Sequence, residues 1–312
     1  MPDILWPIKW LIELILTAFH TAFTAIGLHS NWGVTWVLSI VFLVLVVRTA
    51  LIPIFVRQIK SQRNMMLVQP ELAKLQKKYK GKTDRESREK FAQEQMALYK
   101  RTGSNPLSSC LPMLMQMPIF FSLFSTLQTA SRGQKGVGVM SAELSQSFQE
   151  SSFLGAPLKH SLSTADGNIS VWILGVTMIV AMTASQFITQ KQIMAKNQNA
   201  ATQTSQYMQT QKIMLYAFPL IFAVSGIAFP LGLMFYWLTS NFWTMGQQYF
   251  VIRRMPTPGS KAYAERQDRL AKKGKLTEVI EELESEAETI DIVRENSQRA
   301  QPVSKKRTKK RK

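Results

Sequence analysis

Five apolar stretches, each long enough to cross a hydrocarbon core and separated by basic polar segments, constrain this chain more than any other feature. A helix needs roughly 20 apolar residues to span a bilayer. Such stretches cover 31–56, 105–130, 169–190, 212–229 and 230–253. The last two belong to one apolar run, 213–252, which is too long for a single crossing. Phe229-Pro230, flanked by Gly226 and Gly232, divides it, because proline ends a helix and glycine permits a reversal. The sequence therefore predicts an all-α integral membrane protein with five transmembrane helices.

Residues 1–30 are mostly apolar, with Lys9, Glu13, Thr17, His20, Thr21 and Thr24 drawing a polar stripe along one helical face. That pattern suits an amphipathic helix lying at the membrane interface, with a sixth span as the alternative. No signal-peptide pattern and no early cysteine is present, so no lipid anchor is expected. Basic residues set the orientation. The segment 57–104 and the loop 191–211 are rich in Lys and Arg, whereas 131–168 balances three basic against three acidic residues. Placing the first two and the tail 254–312 in the cytoplasm, with Lys212 beside the second and the tail counted from Arg253, puts 33 of the 38 basic residues inside. The loop 131–168 is then extracytoplasmic, the N-terminus outside and the C-terminus inside.

Residues 57–104 are too polar for lipid and too periodic for a linker. Gly81 reads as the stop of a helix that begins at Arg57, and Thr83-x-x-Glu86 as the capping box of the next. The prediction is a cytoplasmic helical hairpin in which Leu72, Leu75 and Tyr79 meet Phe91, Leu98 and Tyr99, with Pro70 bending the first arm.

Arg48 lies inside the first span. On an ideal helix it sits about 24 Å past Trp32 and about 13 Å before Arg57. A charge at that depth costs a few kcal/mol, and the other four spans carry no acidic residue. The expectation is a hydrated cavity open to the cytoplasm; the alternative is snorkelling of the long side chain. Among the polar residues of the other spans, which include Gln128, Gln186 and Gln247, Gln116 and Asn241 stand out, because a buried amide needs several partners. Span two adds Pro106, Pro112 and Pro118, interleaved with Met113, Met115 and Met117. Three scattered histidines and one cysteine, Cys110, give no metal site and no disulfide, and no cofactor or enzymatic activity is expected. A small-solute transporter or channel is the rival class, disfavoured by the lack of acidic residues in the spans and of an inverted repeat.

The run Lys305, Lys306, Arg307, Lys309, Lys310, Arg311 and Lys312 closes a low-complexity tail. Its charge suits ribosomal RNA phosphates or anionic lipid head groups.

Three blocks together resemble the YidC family of membrane protein insertases. One is Val47-Arg48-Thr49-Ala50-Leu51-Ile52-Pro53 with Gln58 and Gln69-Pro70-Glu71. A second runs from Met96-Ala97-Leu98-Tyr99-Lys100 through Asn105-Pro106-Leu107, Cys110-Leu111-Pro112 and Gln116-Met117-Pro118-Ile119-Phe120. The third is Phe229-Pro230-Leu231-Gly232-Leu233, Tyr236-Trp237, Ser240-Asn241 and Gln247-Gln248. The resemblance implies a short, five-span member in which Arg48 charges a groove in the inner leaflet. Gln116 and Asn241 would line that groove, and Tyr236 and Trp237 would touch the client's apolar segment. It implies nascent membrane proteins as clients and the plasma (inner) membrane of a bacterial cell as the location, and leaves open action alone or beside the Sec translocon; the ribosome is expected as a partner from the basic tail.

Overall fold

In lipid every backbone N–H and C=O must be satisfied within the protein, and a helix does this within one segment. The computed structural model describes residues 4–101, 111–196, 205–257, 259–274 and 277. Along them run α1 (Trp6–Ala25), α2 (Gly33–Ala50), α3 (Ile52–Tyr79), α4 (Arg85–Arg101), α5 (Leu111–Ser131) and α6 (Ala142–Glu150). A two-stranded ribbon of β1 (Ser152–Phe153) and β2 (Ala156–Pro157) follows, then α7 (Ile169–Lys196), α8 (Ser205–Gly226), α9 (Leu231–Arg254) and α10 (Lys261–Lys272). The chain is an all-α integral membrane protein: among the described residues α1, α2 and α7 are long and apolar enough to cross a bilayer. α9 lies between α2 and α7, α8 packs on α7, and α1 packs on α2 and α5.

The segment 132–168 closes one end of this bundle. Trp36 and Phe148, both fully buried, meet edge to face at 5.2 Å, and Trp36 Nε1 donates to Ser147 Oγ at 3.2 Å. Gly33 starts α2 against β1; a Cβ there would collide with the Ser152 carbonyl. The break predicted at Phe229-Pro230 is present, with Pro230 preceding the first residue of α9. The exposed donors of a helix start need acceptors. Here Leu231 N–H donates to His160 O at 2.9 Å and Gly232 N–H to Leu158 O at 3.0 Å.

The centre of the polar stripe of α1 faces protein, while Thr21 is exposed. Glu13 is 1% exposed, and Thr17 and His20 are buried with it, while Trp6, Leu11 and Leu14 point outward. The Glu13 carboxylate accepts from Val137 N–H at 2.8 Å and Gly138 N–H at 2.7 Å, tying α1 to the loop after α5. His20 Nε2 meets Ser30 O at 3.0 Å. The stripe thus serves the loop backbone, and the face α1 shows its surroundings is apolar.

Span one was expected to run to residue 56 and the hairpin arm to start at Arg57. Instead α2 ends at Ala50 and α3 starts at Ile52, with Pro53 in its first turn. Proline fits there because the first-turn N–H has no helical acceptor anyway. The arm then continues through position 70, where a bend was expected, to Tyr79. Gly81, at φ +84, follows the helix end in the left-handed conformation glycine tolerates. The cap of α4 is Asp84 and not Thr83: Asp84 Oδ2 accepts from Ser87 N–H at 2.8 Å, which holds its carboxyl below the usual range. Val68, Leu72, Leu98 and Tyr99 form the hairpin core, and Tyr79 and Phe91 meet at 5.8 Å. Lys78 Nζ donates to Glu94 Oε1 at 2.8 Å, and Tyr79 Oη donates to the same oxygen at 2.9 Å.

Two measurements test these contacts. Glu13→Ala leaves three loop N–H groups, those of Val137, Gly138 and Met140, without this acceptor, and a loss of stability of about 3 kcal/mol is expected. Thermal melting in detergent should show this, with Glu13→Gln recovering part of it; an unchanged melting temperature in Glu13→Ala removes the anchor. In the hairpin, the bonds from Lys78 and Tyr79 hold the Glu94 carboxyl below its ordinary 4.5. A depressed folded value stabilises fully above the unfolded one and is lost as pH falls through it. Hydrogen-exchange protection of α3 and α4 should therefore decline as pH drops below about 4.5 in the native chain and decline less in Glu94→Gln, where only the Asp84 cap is still lost.

Candidate functional site

Arg48 occupies the last turn of α2, because the helix stops at Ala50. There it lies next to carbonyls at the negative end of the helix dipole, which favours a cation by about 0.3–1 kcal/mol. Its guanidinium sits 5.8 Å from the ring centre of Phe55, one turn into α3. Among the described residues no carboxylate comes within ion-pair distance of Arg48. Two favourable but weak contacts, a dipole and an aromatic face, thus accompany a cation that has no counter-ion there.

Four elements surround it. α2 supplies Leu43, Val44 and Val47, α5 supplies Gln116, Ile119 and Leu123, α9 supplies Tyr236, and α1 reaches in with Ile12. Together they bound a crevice of about 300 Å³, counting its open part. The enclosed space is no larger than a single water requires. Where an open hydrated groove was expected, this conformation has a narrow slot with mostly apolar walls. Inside it Gln116 Nε2 donates to Tyr236 Oη at 2.8 Å, so the two polar groups beside Arg48 are bonded to each other.

Of the five residues singled out for a groove, Arg48, Gln116 and Tyr236 come together. Trp237 and Asn241 do not line this slot. Trp237 sits 5.4 Å from Phe120 and 5.4 Å from Phe229, in an aromatic cluster on another face of α9. Asn241 Nδ2 is buried and finds no acceptor among the described residues. Residue 237 is turned about 100° and residue 241 about 140° from residue 236 around a helix, so three residues of one motif point three ways. Ile12 was missed because nothing in its local sequence reveals that α1 flanks α2. Gln58 was quoted only as part of a motif; it is 4% exposed, its Nε2 donates to Met115 Sδ at 3.0 Å, and its Oε1 has no partner among the described residues. Cys110, Pro106 and the basic tail residues from Lys305 to Lys312 lie outside the described residues.

Tyr236→Phe removes the acceptor of the Gln116 amide and should destabilise the fold by about 1–3 kcal/mol. Replacing both partners, as Tyr236→Phe with Gln116→Leu, should cost less than Tyr236→Phe alone, since no buried donor is then stranded. Melting curves of the two forms decide; equal losses mean that the bond contributes nothing.

Residues 27–258 match the family described as 60Kd inner membrane protein. The membrane protein insertase YidC of Tropheryma whipplei is 38% identical over all of this chain and 97% of its own length. The protein of the same name in Bifidobacterium longum is 34% identical over 98% of this chain and 95% of its own. That of Streptomyces avermitilis is 44% identical over 85% of this chain, which spans 61% of that longer relative. The match takes in α2, the helical hairpin and α9 without interruption, and the chain belongs to the YidC family of inner membrane proteins.

Proposed function

We propose that this chain is a membrane protein insertase that receives nascent membrane proteins at the Arg48 slot and releases them sideways into lipid. The observation that carries this reading is a cation, beside the Gln116–Tyr236 pair, with no carboxylate partner among the described residues. A polar client segment brings what the slot lacks: acceptors, and often negative charge, for the guanidinium. Each unpaired polar group in hydrocarbon costs several kcal/mol, so even one good contact matters on that scale.

The narrowness of the slot fits an entry that opens only when occupied. Most of its wall, from Ile12, Leu43, Val44, Val47, Ile119 and Leu123, is apolar. Between helices in a bilayer there is no hydrophobic force holding such walls together, because lipid tails are as apolar as they are. Parting α1 and α5 from α2 therefore costs mainly lost packing. In this reading α2, α5, α7, α8 and α9 cross the membrane, the N-terminus lies outside, and the hairpin α3–α4 and the C-terminal tail lie in the cytoplasm. The hairpin receives the client, and the basic tail meets ribosomal RNA or anionic lipid. No catalytic group is assigned.

The test is co-translational insertion of a single-span client into liposomes that contain only this protein. Arg48→Ala should lower insertion of a client with an acidic outer tail by about tenfold, the scale of one charge-assisted contact. A client with a neutral tail should lose much less, and Arg48→Lys should retain most activity. Equal insertion of the acidic client by Arg48→Ala and the native chain would overturn the electrostatic role.

A further inference from the structure

A second, larger cleft lies where α7, α9 and α10 meet, away from Arg48. It holds about 660 Å³ including its mouth. Three cations line it: Lys196 at the end of α7, Arg253 at the end of α9 and Arg269 of α10. Glu265 is the single acidic residue among its lining residues, and its ion pair with Lys196 is loose, at 3.6 Å. Arg253 Nη1 donates to Tyr249 Oη at 3.0 Å, and Arg269 Nη2 donates to Arg253 O at 3.1 Å. An arginine carries five N–H donors in a planar fork, and each of these two commits one of them here. The cleft thus gathers a formal excess of two positive charges with donors to spare, and Arg269 covers a carbonyl that would otherwise repel an anion.

We infer that this cleft binds the phosphate of an anionic phospholipid head group. Charge alone would suit any phosphate; the surroundings select a lipid. Tyr249 and Phe250, packed 5.8 Å apart on the turn before Arg253, are 51% and 58% exposed. Ile188, one turn before Gln192 on α7, is also exposed. Outward-facing rings and aliphatic side chains next to basic residues mark the level of the head groups in a membrane protein. The mouth of the cleft therefore stands at the lipid boundary, with apolar surface beside it for acyl chains. Buried Ile252 and Ala262 give the floor shape, and Lys196, Arg253 and Arg269 grip the phosphate. The inference rests on the membrane fold and is independent of the insertase reading.

The full chain purified in detergent is titrated with phosphatidylglycerol, with phosphatidylcholine and with inorganic phosphate, and the melting temperature is followed. Phosphatidylglycerol should raise it at concentrations where phosphatidylcholine does not. Lys196→Gln should raise the half-saturating lipid concentration about fivefold, and Glu265→Gln should lower it by about the same factor. Both variants keep the basic tail, so its own attraction for anionic lipid cancels between them. Equal effects of the two lipids, an unchanged half-saturation in both variants, or inorganic phosphate stabilising as well as the lipid would each overturn the assignment.

Discussion

The guanidinium of Arg48 sits among apolar side chains with no carboxylate partner in the described structure, and the architecture around it follows from that condition. Its cost is spread over several small contributions: the carbonyl end of α2, the face of Phe55 at 5.8 Å and a polar pair one helix away. None of these is an ion pair, and none discharges the cation. Had an acidic side chain been placed opposite, the interaction would be stronger and the site would be saturated.

The break at Leu51 makes this arrangement feasible. Were α2 to continue to Arg57, Arg48 would lie mid-helix, where the backbone carbonyls are already bonded. Ending the helix two residues later brings the dipole terminus to the charge. The same break begins the hairpin arm, so the turn holding Arg48 and the first turn of α3 share Leu51 as their junction.

Much of this was legible in the residues, and the remainder was hidden for identifiable reasons. The hairpin could be read because its signals are local: Gly81 after the helix end, and apolar residues such as Leu72 and Leu98 at helical spacing. The start of α9 after Pro230 was local in the same sense. The helix break at Leu51 was misplaced by several residues because Pro53 is compatible both with the interior of a kinked span and with the first turn of a new helix. The fate of Glu13 depended on three backbone N–H groups more than 120 residues away, which no pattern within α1 encodes. The grouping of Tyr236 with Trp237 and Asn241 followed sequence proximity, where rotation around α9 separates them.

The end of the bundle covered by 132–168 carries one more implication. There Trp36, Phe148, Leu158 and Leu231 are fully buried, and the first donors of α9 are bonded to the covering loop. The Arg48 slot lies toward the opposite end of α2. In the proposed insertase reading, widening the slot admits a guest without opening a continuous aqueous path from one side to the other, so a cell keeps its proton and ion gradients while the protein is occupied.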